Sequence, residues 1–220
     1  YTGPMVDSTD VQQLTQVTKK LDPEAKLLRT WPLPGGISAR MTAFEIMRPD
    51  GQTQRRVIRR PGARVLPRNP HAAAGEFYTL QIVDGLDVAT PTPYLLDESG
   101  AIWPEPYLVL EYMEGRPEYA PANAEECAAQ MATQLARIHG IDAETADLSF
   151  LPRQAARLAR RFHTRPSFLD DSLDEGQIRA TLEAVWPLAP VEPPVLVHGD
   201  FWPGNLLWRD GHLVAVIDWE

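Results

Sequence analysis

A single cysteine, Cys127, stands in 220 residues. That excludes a disulfide framework and any zinc site built on several thiolates, and it makes a reducing cytoplasm the expected compartment. Long apolar runs are missing too: a stretch such as Leu213 to Ile217 is far short of the roughly 20 residues a membrane helix needs. Basic charge is in deficit, with 21 Lys plus Arg against 30 Asp plus Glu and a formal net charge of −9. A general nucleic-acid binder or a polybasic membrane-surface protein would carry the opposite balance. Lysine itself is scarce, 3 against 18 arginines, which reads as base composition of the genome rather than chemistry. No internal repeat or low-complexity tract is visible. What remains is 44% apolar and 23% charged residues, the mix of a globular protein with a sizeable core.

Periodicity divides the chain into a β-rich half and a helical half. Residues 7–21 predict a helix, with Val11, Leu14, Val17 and Leu21 at helical spacing. Strands are expected at 26–31, 38–47 and 54–60, broken by Pro34-Gly35-Gly36 and by the hairpin turn Pro49-Asp50-Gly51. A helix at 72–83 follows, then strands at 91–96 and 107–113. Beyond the turn-rich Glu114-Gly115-Arg116-Pro117, helices are expected at 123–139, 153–162 and 173–186. Asn123 and Glu126 form a capping box, and Ile178, Leu182 and Val185 should face inward. A short buried strand at 195–197 and a hairpin of 205–208 with 213–217 close the chain. The expected organisation is two lobes, residues 1–113 and 114–220.

Chemistry concentrates in the last 26 residues. Val197-His198-Gly199-Asp200-Phe201-Trp202-Pro203-Gly204-Asn205 lies between apolar runs, and Ile217-Asp218-Trp219 ends the hairpin that opens at Asn205. As mere turn capping this would be unremarked. Phosphoryl transfer, however, needs one carboxylate to orient an attacking hydroxyl, and a carboxylate with an amide oxygen to hold Mg²⁺ against the phosphates. Protein kinases space these groups as His-x-Asp-x-x-x-x-Asn with a second Asp after the next hairpin.

The segment resembles the aminoglycoside phosphotransferase and choline kinase family, small-molecule kinases of protein-kinase-like fold. His-Gly-Asp and Ile-Asp-Trp-Glu are written in that family's style. The resemblance implies a two-lobe α+β fold with a cleft site and, since the chain reaches only Glu220, an incomplete C-terminal lobe. It implies ATP or GTP and Mg²⁺ as cofactors and a small-molecule hydroxyl acceptor as partner. Asp200 is then the catalytic base, Asn205 and Asp218 the metal ligands, and His198 a brace of the loop. Upstream, the same resemblance gives Gly35, Gly36 and Ser38 to a phosphate-covering turn. It gives Arg59 to the phosphate-binding cation, where lysine is commoner, Glu76 to its helix partner, and the backbone near Glu111 and Met113 to the nucleotide base. Strand alternation places Val57 and Arg59 on one side. Arg59 in the lysine place leaves an alternative, a kinase-like module that binds nucleotide with little or no catalysis.

Overall fold

The computed structural model describes residues 8–33, 38–142, 145–164, 166–187 and 194–219. Helix α1 (Ser8–Leu21) buries Leu14 and Val17 and leaves Val11 exposed. Five antiparallel strands follow: β1 (Lys26–Pro32), β2 (Ala39–Met47), β3 (Thr53–Pro61), β4 (Pro93–Asp97) and β5 (Tyr107–Glu111), in the order β1-β2-β3-β5-β4. Helix α2 (Ala72–Asp84) connects β3 to β4.

Cross-strand partners share a face of the sheet. The pairs Thr42↔Ile58 and Ile58↔Val109 therefore place Thr42, Ile58 and Val109 in one row on the face that packs against α1. There Phe44, Ile46, Ile58, Tyr107 and Val109 join Leu14, Val17, Ala25 and Trp103 in one core. The pairs Met41↔Arg59, Ala43↔Val57, Val57↔Leu110 and Arg59↔Leu108 define the opposite face. Arg59 thus stands at the end of an apolar row, the side that alternation predicts.

Asp97 anchors the edge. Its carboxylate accepts bonds from Lys20 of α1 (2.5 Å), the Tyr107 hydroxyl (2.7 Å) and both the N–H and hydroxyl of Ser99. Burial opposes its charge, but these donors outweigh it and hold the group well below the usual carboxylate range.

The ladder of β5 ends at Glu111, two residues sooner than expected. Tyr112 donates one last backbone bond to Arg55 before the chain leaves the sheet. Helix α3 (Ala124–His139) starts at the predicted box: Asn123 accepts the Glu126 N–H and its amide donates to the Glu126 carboxylate, both at 3.1 Å. It seats against the hairpin of β6 (Leu206–Arg209) and β7 (His212–Val216) through Gln130, which bonds the Gly211 carbonyl and the Leu213 N–H at 2.9 Å each. The hairpin turn places Asp210 and Gly211 at φ 52° and 78°, the left-handed pair that a tight antiparallel turn needs.

By compactness, Tyr1–Ile141 with Leu196–Glu220 form one unit and Asp142–Val195 a second. Helix α3 and the β6–β7 hairpin thus group with the five-stranded sheet. The second unit holds α4 (Gln154–His163) and α5 (Glu175–Val185). Two expectations fail here. Ile178, Leu182 and Val185 are exposed, so the periodicity of α5 marks a face left open among the described residues. Residues 195–197 form no ladder; only Leu196 is buried, with Val195 and Val197 turned to solvent. No helix among the described residues is long and apolar enough to cross a membrane.

Phe44 is fully buried at the centre of the core. Phe44→Ala is expected to cost about 3–5 kcal/mol of unfolding free energy in urea denaturation. A loss below about 1 kcal/mol would show that this core does not hold α1 to the sheet.

Candidate active site

Arg59 leaves β3 on the face opposite α1 and meets two carboxylates. Its Nε lies 2.7 Å from Oε2 of Glu76 on α2, and its Nη2 donates to Oδ1 of Asp218 after β7. The Arg59 side chain is 11% exposed and that of Glu76 7%. Burial works against the guanidinium charge; the two carboxylates overcome it and raise the Arg59 pKa further. A permanent cation is thereby fixed where three elements converge.

Asp218 sits at φ 64°, a left-handed backbone that aspartate tolerates better than most residues. Its neighbours are pinned on both sides. The Ile217 N–H donates to the Asn205 carbonyl at 2.9 Å, and the Trp219 indole N–H donates to the Val216 carbonyl at 3.2 Å.

His198 joins this turn to the loop before it. Its Nδ1 accepts the Asp200 N–H at 3.3 Å, so Nε2 carries the proton and donates to the Ile217 carbonyl at 3.1 Å. The ring is 1% exposed and packs between Phe201 and Trp219. Burial pushes its pKa below the ordinary value, against the pull of the Ile217 carbonyl and the charges of Asp218 and Asp200. An imidazole with both nitrogens engaged ties the two turns together. Gly199 at φ 91° makes the sharp turn that presents Asp200.

Asn205 ends a short 3-10 turn (Pro203–Asn205) and is buried. Its amide nitrogen donates to the Asp200 carboxylate at 2.8 Å and to the Asp200 carbonyl at 3.0 Å. Neither bond uses the amide oxygen.

The sequence-predicted residues thus fall into two directly bonded groups, Asp200 with Asn205 and Arg59 with Glu76 and Asp218. They are linked through His198 and the Ile217 backbone. Ser38 adjoins β2, its carbonyl accepting the Gly62 N–H at 2.7 Å. Gly35 and Gly36 lie outside the described residues. Glu111 and Met113 line a cavity of about 570 Å³ with Arg55, Tyr112 and Val214. The Glu111 N–H is already bonded to the Thr92 carbonyl at 2.9 Å, so only its carbonyl is left to meet a base. That contact with Thr92, the residue before β4, carries no sequence signature. Trp219 against His198 also went unread, although an aromatic beside a buried imidazole is a natural packing partner.

No cluster of three or more His, Cys, Asp or Glu side chains fit to hold a metal occurs among the described residues. The Asp218 carboxylate and the Asn205 amide each offer a hard oxygen donor, the Asn205 oxygen being unused by the bonds its amide nitrogen makes. Oxygen donors of this kind suit Mg²⁺, which keeps several waters and takes other oxygens from phosphates.

The phosphotransferase enzyme family model matches residues 31–220. Solved structures share the fold. A protein of Ralstonia eutropha JMP134 named for the aminoglycoside phosphotransferases superposes with TM-score 0.68 at 20% identity, over 96% of this chain and 64% of that one. A thermostable mutant of aminoglycoside phosphotransferase APH(4)-Ia, in ternary complex with ADP and hygromycin B, gives 0.65 at 16% identity over 94% of this chain and 70% of its own. Spectinomycin phosphotransferase APH(9)-Ia, in complex with ADP and spectinomycin, gives 0.61 at 14% identity over 95% and 68%. The architecture is therefore the protein-kinase-like one of aminoglycoside phosphotransferases, and the chain spans 64% of the first of these proteins.

A depressed His198 pKa has a defined sign. Above the unfolded value of about 6.5 neither state is protonated and the full contribution is present. As the pH falls below it, the unfolded chain takes a proton that the folded one refuses, and stability is lost. Urea unfolding at pH 7.5 and 5.5 should show a smaller loss for His198→Gln than for the wild type. Equal losses would mean that the imidazole is not held neutral.

Proposed function

This chain belongs to the phosphotransferase enzyme family, and from that premise we propose that it moves the γ-phosphoryl group of ATP to a hydroxyl of a small molecule. The observation that carries the reading is the bonded arrangement of Asp200, Asn205, Asp218 and Arg59. The ADP bound in two related structures and the AMP-PNP in a third support a nucleotide as donor.

In this reading Asp200 accepts a hydrogen bond from the acceptor hydroxyl, aims its oxygen at the phosphorus, and takes the proton as the bond forms. The Asn205 amide, donating to the Asp200 carboxylate, fixes the rotamer from which it does so. Asn205 Oδ1 and the Asp218 carboxylate would hold Mg²⁺, which when bound supplies neutralisation of charge on the phosphate oxygens. Arg59 holds the α- and β-phosphates, and Glu76 keeps its fork in place. Arginine offers several donors in a rigid plane, so one residue can serve a carboxylate and a phosphate together. The carbonyl of Glu111 and the backbone of Met113 meet the base. The work is positioning and electrostatics, with no covalent intermediate. Cys127 is a free thiol, in keeping with a reducing cytoplasm.

ADP release over a panel of hydroxyl acceptors tests this. Asp200→Ala should lower turnover about 10²–10⁴-fold while AMP-PNP affinity and the unfolding midpoint stay unchanged. Undiminished turnover in that variant would remove Asp200 from its role. AMP-PNP binding by the wild type with no acceptor phosphorylated would instead establish a nucleotide-binding module without catalysis.

A further inference from the structure

Ala89 is gripped from two sides. It belongs to the link of residues 85–92 between α2 and β4. Its N–H donates to Oε1 of Gln134 on α3 at 2.9 Å, and its carbonyl accepts the Val216 N–H at 2.7 Å. One residue thus has both its peptide groups bonded, one to a helix and the other to the last residue of β7. Val88, Thr90 and Pro91 around it are buried, and Gln134 is 9% exposed. Glutamine is seldom buried without a polar partner, and a buried backbone N–H needs an acceptor. Gln134 Oε1 is that acceptor. Without it the Ala89 N–H must turn toward water, and the carbonyl that holds Val216 turns with it.

A second side chain of α3 reaches the same link. Arg137 donates from Nη1 to the Asp87 carbonyl and pairs through Nη2 with the Asp87 carboxylate, both at 2.6 Å. The two contacts differ in what they control. The Asp87 side chain is 87% exposed, and its contact ties the link to α3 alone. Gln134 bonds the residue that β7 also holds.

Val216 is where a displacement would be felt. Asp218 follows two residues later at φ 64°, and the Val216 carbonyl accepts the indole N–H of Trp219 beyond it. The turn that presents Asp218 is therefore braced on Val216. From Gln134 to that turn there are two hydrogen bonds and a single intervening residue, Ala89. The link also descends from α2, which carries Glu76. Glu76 and Asp218 are the two carboxylates on Arg59, so clamping Ala89 to Val216 fixes the spacing of the elements that bring them there.

We propose that Gln134 is a positioning residue of the phosphoryl-transfer site: through Ala89 and Val216 it sets where the Asp218 carboxylate stands, and so how well that carboxylate serves Mg²⁺ and nucleotide. The inference rests on the phosphotransferase reading above. Gln134 touches no reacting group; it fixes the register between the α2–β4 link and the end of β7.

The test compares wild type with Gln134→Met, which keeps length and bulk but offers no oxygen, Gln134→Glu, which keeps one, and Arg137→Met, which frees the link at Asp87. Amide exchange is followed by NMR at Val216, with Val109 at the centre of the sheet reporting global opening. AMP-PNP affinity is measured by calorimetry with and without Mg²⁺, well below the unfolding temperature. In Gln134→Met, exchange at Val216 should quicken about tenfold more than at Val109. The gain in AMP-PNP affinity that Mg²⁺ brings should fall about fivefold or more, while affinity without Mg²⁺ stays within about twofold. Gln134→Glu should recover most of the gain. Arg137→Met should keep the wild-type gain whatever it does to the unfolding midpoint. Gln134→Ala, which lets a water reach the Ala89 N–H, serves the same comparison where Gln134→Met does not fold. An undiminished Mg²⁺ gain in Gln134→Met, a loss shared equally by Arg137→Met, or a loss in Gln134→Glu as large as in Gln134→Met would each overturn the role of Gln134. Absence of AMP-PNP binding by the wild type would be a failure of the phosphotransferase reading itself, and the proposal would fall with it.

Discussion

One buried cation organises this molecule. The Arg59 guanidinium lies between Glu76 and Asp218 with little solvent to share its charge. An arginine in that place without its carboxylates would cost several kcal/mol, so the ion pairs are a condition of the local fold. They bind three parts of the chain at one point: the middle strand of the sheet, the helix after it, and the turn that ends the last hairpin. Arginine suits the task because its planar fork reaches two anions in different directions without giving up its charge.

The other half of the site rests on backbone bonds. Asp218 stands in a left-handed conformation because the residues beside it are tied to Asn205 and to the Trp219 indole. His198 carries the tie onward, one ring nitrogen to Ile217 and the other to Asp200. A shift in either turn is therefore felt by the other through a side chain packed between aromatics. For the phosphoryl transfer proposed above, which would rest on position and charge rather than on bond-making with the protein, such coupling would be the useful property.

Much of this was legible in the chain. The spacing from Asp200 to Asn205 and on to Asp218 survives in the sequence because the groups lie on one short loop and one tight hairpin. Arg59 and its partner Glu76 were pointed to by the family resemblance; the period of the strand added only that Arg59 shares a side with Val57. The failures have a common cause. Apolar periodicity says that a face wants burial but not whether anything covers it, hence the open face of α5 and the unladdered 195–197. Gln130 and Gln134 look like solvent residues in a helix, yet one clasps the β6–β7 turn and the other accepts the Ala89 N–H. The bond from the Val216 N–H to the Ala89 carbonyl joins residues 127 positions apart and leaves no local signal.

The most direct measurement is calorimetric titration of AMP-PNP into wild type and Asp218→Asn, each with and without Mg²⁺. The account predicts that Mg²⁺ strengthens binding to the wild type at least tenfold and that Asp218→Asn abolishes most of that gain while still binding the nucleotide. Nucleotide affinity indifferent to Mg²⁺, or a Mg²⁺ effect equal in the two proteins, would contradict it.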